Sequence, residues 1–257
     1  MWDRTGGREG STYPISTTLQ KAFAIIEHIA GHQPVAATTL GAELHLSKGN
    51  TYHLLASLEH LGYIRKSRDG YELTFRMYAI GSTLPITQHV VNIARPLMRQ
   101  IAQDEGIHVY LTVESNLEMV NLEREQPRSD IQVANDYAVT YELHCTASGK
   151  LWLSFLQPSR RREIYREMSF AKKTGHTITD PDTLEREVSQ IARQGYAVEL
   201  TEHSPYINGV AAPIVGRDEE FVASLSVVGP TPILTKAAIE RLTPRLVESA
   251  ATVSRSL

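Results

Sequence analysis

Between Thr17 and Leu73 the chain sets three apolar-periodic segments ahead of one short charged hairpin, and few folds accommodate that order in so little length. Leu19, Ala22, Phe23, Ile26 and Ile29 follow the i, i+3, i+4, i+7 spacing of an amphipathic helix that stops at Gly31. After the connector "HQPVA", the stretch "TTLGAELHL" reads as a short helix capped by a threonine, with Leu40 and Leu44 on one face. A third segment, "LHLSKGNTYHLLASLEHLGYI", carries Leu54, Leu55, Leu58 and Leu61 as its apolar stripe and closes at Gly62. "YIRKSRDGYEL" then reads as two strands around an Asp69-Gly70 turn. Helices and hairpin in this order predict a winged helix-turn-helix over residues 15–74, behind a disordered leader at 1–14.

The third helix begins in a small, polar, cationic turn although its far side is plainly core. A recognition helix needs such a start: a cap, small residues that let backbone approach phosphate or base edges, and a few donors. Ser47 can cap, Lys48 can neutralise a phosphate beside Gly49, Asn50 or Thr51 can bond a base edge, Tyr52 can stack on sugar, and His53 lies one turn on. Arg65, Lys66 and Arg68 follow at once, where a wing would lie along the adjacent backbone. A capped surface helix with no partner explains the same turn taken alone; the basic hairpin beside it favours double-stranded DNA.

The formal charge of −3 divides unevenly: residues 1–84 carry 8 Lys/Arg against 7 Asp/Glu, and five of the ten histidines. That excess is small for a nucleic-acid-binding domain. No apolar run approaches the roughly 18 residues of a membrane span, and "MWDRTGGREGSTYP" lacks the apolar core of a signal peptide, so a cytoplasmic location is expected.

Downstream, "TFRMYAIGSTLP" reads as a linker helix at 75–88, and a second domain is placed at 89–257, starting with a helix from His89 to Asp104 in which Pro96 marks a start or a kink. Strand-like alternation at "IHVYLTVE", "LEMVNLER", "YAVEL", "GVAAPIVG" and "FVASLSVVG" is interleaved with helical patterns at 146–156, 158–168, 181–194 and 236–254. The short turns "SN" and "RDEE" require antiparallel pairing, so the fold class is α+β with an antiparallel sheet.

In "LHCTASGKLWLSFL", Thr146 can cap a helix whose first N–H groups belong to Ala147, Ser148, Gly149 and Lys150, an arrangement suited to a carboxylate. The "SGK" is not a P-loop, since the earlier glycine is missing and Leu151 follows the lysine. A Ser148/Lys150 catalytic pair, or Glu199 with Ser226, would be needed for the rival reading of a small-molecule enzyme with an accessory helical domain, and no convergent set supports it. His108, His144, Cys145, His176 and His203 lack zinc-site spacing, and the single cysteine fits a structural role; no metal or cofactor is expected.

The order "LQKAFAIIEHIA", "TTLGAELHLSKGNTYHLLASLEHLGYI", "YELTFRMYAIGS", "LHCTASGKLWL", "GYAVELTEH", "GVAAPIV" and "ASLSVVGP" resembles the IclR-type transcriptional regulators of bacteria and archaea, from about Thr17 onward. The resemblance implies a winged helix-turn-helix, a linker helix and a GAF-like effector domain, acting as a homodimer or tetramer on a palindromic operator under control of a small organic acid. Tyr78 and Ile80 of the linker are then candidates for contact between subunits. By motif position the effector pocket would use Val133, Tyr141, Ala147, Ser148, Glu199, Ile207, Gly209, Ser226 and Val228. His53 stands where the family usually has arginine, which lowers the attraction for phosphate. Glu199, Gly209 and Val228 replace the family's usual aspartate, cysteine and serine; the expectation is an opened, less polar pocket and an effector larger than a two- or three-carbon acid.

Overall fold

The structure is a computed structural model that describes residues 14–81, 83, 85–127 and 140–257. They fall into two compact units, the first ending at Pro85 and the second beginning at Ile86.

The first unit contains α1 (Thr17–His32), α2 (Ala37–Glu43), α3 (Lys48–His60), β1 (Ile64–Lys66), β2 (Tyr71–Leu73) and α4 (Phe75–Gly81). Ser16 starts α1, its hydroxyl accepting the Leu19 N–H at 3.4 Å. Ile25, Ile26 and Ile29 of α1 meet Leu40 of α2, Leu54, Leu55 and Leu58 of α3, and Ile64 and Tyr71 of the hairpin in one core. Each such aliphatic side chain contributes about 1.5–3 kcal/mol by leaving water. The threonine expected to cap α2 does not: the cap position is Ala36, with no side-chain bond, and Thr38 and Thr39 lie inside the helix. Val35 holds the chain extended up to that point, because it exchanges backbone hydrogen bonds with Tyr71 at 3.1 and 2.8 Å. Leu61 is also corrected; it sits at the end of α3 and is exposed, since Gly62 at φ 80 turns the chain there.

The hairpin pairs Ile64 with Leu73, Arg65 with Glu72 and Lys66 with Tyr71. Gly70 is required by space: a Cβ there would lie 2.5 Å from the Val35 carbonyl.

The second unit begins with α5 (Pro85–Glu105), β3 (His108–Ser115), β4 (Glu118–Glu125) and β5 (Thr140–Tyr141). Then follow α6 (Ala147–Ser154), α7 (Pro158–Glu167), α8 (Pro181–Gln194), β6 (Ala197–Leu200), β7 (Ile207–Val215), β8 (Phe221–Pro230) and α9 (Lys236–Ser254). Pro96 falls inside α5, which continues through it as one helix. The sheet is antiparallel in the order β5-β4-β3-β8-β7-β6. A two-residue turn, Asn116 and Leu117 at φ 58 and 65, joins β3 to β4.

Alternation along the strands gives the sheet two unlike faces. Val109, Leu111, Val210, Ala212, Ile214, Ala223, Leu225 and Val227 project to one side, where Val90, Ala94, Met98 and Ile101 of α5 and Ile239, Leu242, Leu246 and Val253 of α9 bury them. The opposite face carries His108, Tyr110, Thr112, Ser224, Ser226, Gly209 and Glu199, and packs against α6 through Ala197 and Ala211. Among the described residues of the sheet, these polar side chains lie on this face.

Candidate functional site

At the start of α3, Ser47 is extended and its hydroxyl accepts the Asn50 N–H at 3.4 Å, so the residue caps the helix. Lys48, Gly49, Tyr52 and His53 are exposed, and Asn50 is half-buried. Thr51 is the exception. It is 1% exposed, and its hydroxyl donates to the Ser47 carbonyl at 3.1 Å. Its oxygen lies 3.2 Å from where a Cβ at Gly41 would stand, so it fills the contact between α2 and α3. A base contact from Thr51 is therefore withdrawn; Asn50 keeps that expectation.

In the hairpin Lys66 and Arg68 are exposed, whereas Arg65 donates to Glu72 Oε2 from Nε at 3.1 Å and from Nη2 at 2.8 Å. The Arg65 guanidinium holds the Glu72 carboxyl below the usual carboxylate range. Its charge is thus partly compensated, which sequence spacing alone did not reveal. On α4, Phe75 and Tyr78 are 88% and 71% exposed, and Ile80 is exposed as well; Leu19 and Phe23 of α1 add further apolar surface to this unit.

In the second unit Thr146 caps α6, accepting the Gly149 N–H at 3.2 Å while donating to the Glu142 carbonyl at 2.8 Å. The Thr146 carbonyl takes the Lys150 N–H. Ala147 and Ser148 thereby supply the first-turn amides that have no bond within the helix. Gly149, expected among the ligand-facing amides, serves packing instead: its N–H is used by the cap, and a Cβ would lie 2.5 Å from Leu143 backbone.

Lys150 is 0% exposed. Its Nζ donates to Glu202 Oε1 at 2.6 Å and to Glu187 Oε1. Both hydrogen bonds of Nζ go to carboxylates and none to Ser148, so the geometry gives no support to a Ser148/Lys150 pair. Beside Glu202, Glu199 is 5% exposed, and its Oε1 accepts the N–H groups of Glu202 at 2.9 Å and His203 at 3.2 Å. Burial raises its carboxyl to about 7, with the neighbouring Glu202 pushing in the same direction against those backbone donors and Lys150. Its other oxygen stands 3.4 Å from where a Cβ at Gly209 would be. The longer glutamate thus occupies room the glycine leaves, which corrects the expectation that these two departures open the pocket.

Gly209 pairs with both Glu199 and Val228, and Ser226 with Ala211, so these lie together on the polar face. Ile207 opens β7 and is half-buried, as is Tyr141, whose ring meets His203 edge-on at 5.5 Å. Val133 lies outside the described residues. Sequence reading missed the Lys150 cluster and weighed His108 only as a metal ligand; it is a buried residue on the same face whose Nδ1 has no hydrogen-bond partner among the described residues. Burial, then the charge of Arg124, holds the His108 imidazole below its ordinary value. Cys145 is buried and free, its thiol pushed up to about 12 by burial, so it is a poor nucleophile. His144 Nε2 bonds the Ala171 carbonyl and His176 Nδ1 the Thr201 hydroxyl; among the described residues no three ligating side chains converge. A groove of about 780 Å³ along the open edge of β6, between α8 and α9, includes Glu187 but none of the residues expected to bind a ligand.

A capped, outward-facing recognition helix with a basic hairpin, joined to an α+β unit with a polar buried face, defines a ligand-responsive DNA-binding protein. A family model described as the IclR helix-turn-helix domain matches residues 18–68, and one described as the bacterial transcriptional regulator IclR C-terminal matches residues 82–255. The chain belongs to the IclR family: it is a transcriptional regulator with an N-terminal helix-turn-helix DNA-binding domain and a C-terminal domain that binds a small-molecule effector. Among its relatives is the "Probable HTH-type transcriptional regulator ArcR" of Halobacterium salinarum, 26% identical over 243 residues that make up 92% of each chain. The crystal structure of the Thermotoga maritima IclR is similar at TM-score 0.73 and 28% identity, over 93% of this chain and 98% of that one. An IclR homolog from Microbacterium hydrocarbonoxydans, complexed with 4-hydroxybenzoate, matches at TM-score 0.77 and 22% identity over 94% and 99% of the two chains. No helix among the described residues is long and apolar enough to cross a membrane.

Proposed function

We propose that the first unit binds a palindromic operator through Ser47, Lys48, Gly49, Asn50, Tyr52 and His53 of α3, with Lys66, Arg68 and, less strongly, Arg65 of the hairpin. The observation that carries this reading is that α3 buries its leucines and caps its first turn while leaving Lys48 to His53, apart from Asn50 and Thr51, on the outside. Paired half-sites call for a homodimer or a tetramer. The exposed apolar residues of α1 and α4, Leu19, Phe23, Phe75, Tyr78 and Ile80, supply surface for it. The protein works in the cytoplasm, as a regulator and not as an enzyme.

The second unit takes a small organic acid, its carboxylate at the Ala147 and Ser148 amides, against Tyr141, Glu199, Ile207, Gly209, Ser226 and Val228. The dipole of α6 and its free amides favour an anion, and the 4-hydroxybenzoate of the Microbacterium homolog agrees with a carboxylate. Binding shifts the equilibrium between two arrangements of the paired recognition helices.

Selection of bound DNA from a random pool tests the first half; a discrete, salt-sensitive complex supports it, and no enrichment refutes it. On a selected site, Lys48→Ala is expected to lower affinity evenly across sequence variants and to reduce the slope of log K against log salt by about one. A change at a single base position alone would show that Lys48 reads a base instead.

A further inference from the structure

This inference rests on the operator reading of the first unit and deepens it. On the outer side of α3, Lys48, Gly49, Tyr52, His53 and Ala56 are exposed, while Thr51, Leu54, Leu55 and Leu58 are buried. Residues four apart stand above one another on a helix, so Lys48, Tyr52 and Ala56 form one outward row. The row opens with a cation and continues as a phenol ring, 45% exposed, and a methyl group. Glu59 follows three residues later and is exposed too. A carboxylate is repelled by the phosphate backbone, so the part of α3 fit for a groove runs from Lys48 to Ala56, about 12 Å of helix axis and about the width of the major groove. Gly49 adds no bulk at its start: a Cβ there would meet nothing within 4 Å. Charge supplies little of the affinity, since residues 1–84 carry 8 Lys/Arg against 7 Asp/Glu. Contacts at the base edges must then carry more of it.

Base edges in the major groove present donors, acceptors and one apolar group, the C5 methyl of thymine. An apolar side chain pressed on a donor or acceptor strips its water and returns no hydrogen bond. Pressed on the methyl, it takes apolar surface out of water on both sides. We propose that Tyr52, with Ala56 beside it, is a specificity-determining residue of the DNA-binding unit, and that the pair reads thymine through its C5 methyl group. Lys48, one turn earlier in the same row, sets the position of the helix against the phosphates and carries no sequence information itself.

The test takes the full chain and the DNA site selected from the random pool, and replaces each thymine in turn by uracil, which pairs as thymine does and lacks only the methyl. Affinity is read by fluorescence anisotropy at fixed salt. At one thymine position, replaced in both half-sites, the wild type should bind about tenfold more weakly, roughly three- to fivefold for each methyl left unburied. Tyr52→Phe keeps the ring and should keep that ratio. Tyr52→Ala should bind the thymine site more weakly and bring the ratio to within about twofold of unity, and Ala56→Gly should lower it in part. Thermal melting separates lost contact from lost fold: Tyr52 is exposed, so both of its variants should melt with the wild type. A tyrosine stacked on sugar, or bonded to phosphate through its hydroxyl, would leave thymine and uracil equal at every position, and that result overturns the assignment. So does a methyl preference that survives in Tyr52→Ala, or a selected site with no fixed thymine. If no sequence is enriched, the operator reading itself falls and takes this inference with it.

Discussion

Replacing Lys150 with alanine is expected to destabilise the folded protein by about 3–5 kcal/mol, the cost of removing one member of a buried ion pair. The lysine is fully enclosed, and its ammonium is the common partner of Glu187 on α8 and Glu202 after β6. Without it, Glu202 keeps its charge in a site where burial already pushes its carboxyl upward. A cavity adds to the loss. Thermal or urea denaturation at pH 7 reads the change. The mechanism is separable from packing, because Lys150→Met with Glu202→Gln removes the stranded charge and fills part of the space. The double variant should regain at least half of what Lys150→Met alone loses. A double variant no better than the single one would mean that charge is not the issue.

Glu199→Gln is expected to change the pH dependence of stability in a defined direction. The carboxyl stands at about 7 in the folded state, above its ordinary 4.5, because burial disfavours the anion. A group raised on folding contributes its full stability below the unfolded value and loses it as pH climbs through the folded one. Between pH 4.5 and 7 and just above, the wild type therefore forfeits on the order of 3 kcal/mol from this residue. Glutamine retains an oxygen for the Glu202 and His203 N–H groups and does not ionise. The two proteins should be closest at about pH 4, below the unfolded value, and the variant should be increasingly the more stable up to pH 8. Titrating groups not coupled to Glu199 are common to both and cancel in the difference, while Glu202 and Lys150, which act on it, add to the measured change. A gap in melting temperature that is constant from pH 5 to 8 would show that Glu199 does not titrate in this range.

Elements bounded by local chemistry could be read directly from the sequence. Asp180 caps α8, Pro181 opens it and Gly195 at φ 80 closes it, all within the segment itself. The antiparallel sheet followed from alternation and two short turns, although β5, two residues long, gave no periodicity to detect. What escaped depends on partners distant in sequence. Gly70 and Gly149 look like ordinary turn or helix-start glycines until Val35 and Leu143 press on them. Lys150 lies in a motif that suggests exposure, yet its carboxylates stand 37 and 52 residues away. Thr51 and Asn50 are equally polar, and only the closeness of Gly41 turns one of them inward. Glu199 and Gly209 read as two separate departures from a family pattern, whereas in space they compensate each other.

The backbone pairing of Val35 with Tyr71 has a mechanical consequence for the DNA-binding unit. It fastens the hairpin to the connector ahead of α2, tying β1 and β2 by backbone hydrogen bonds to the helices they pack against. On the proposed reading, a duplex entered by α3 would meet Lys66 and Arg68 on a hairpin already held by that backbone pairing, which lowers the ordering cost of binding.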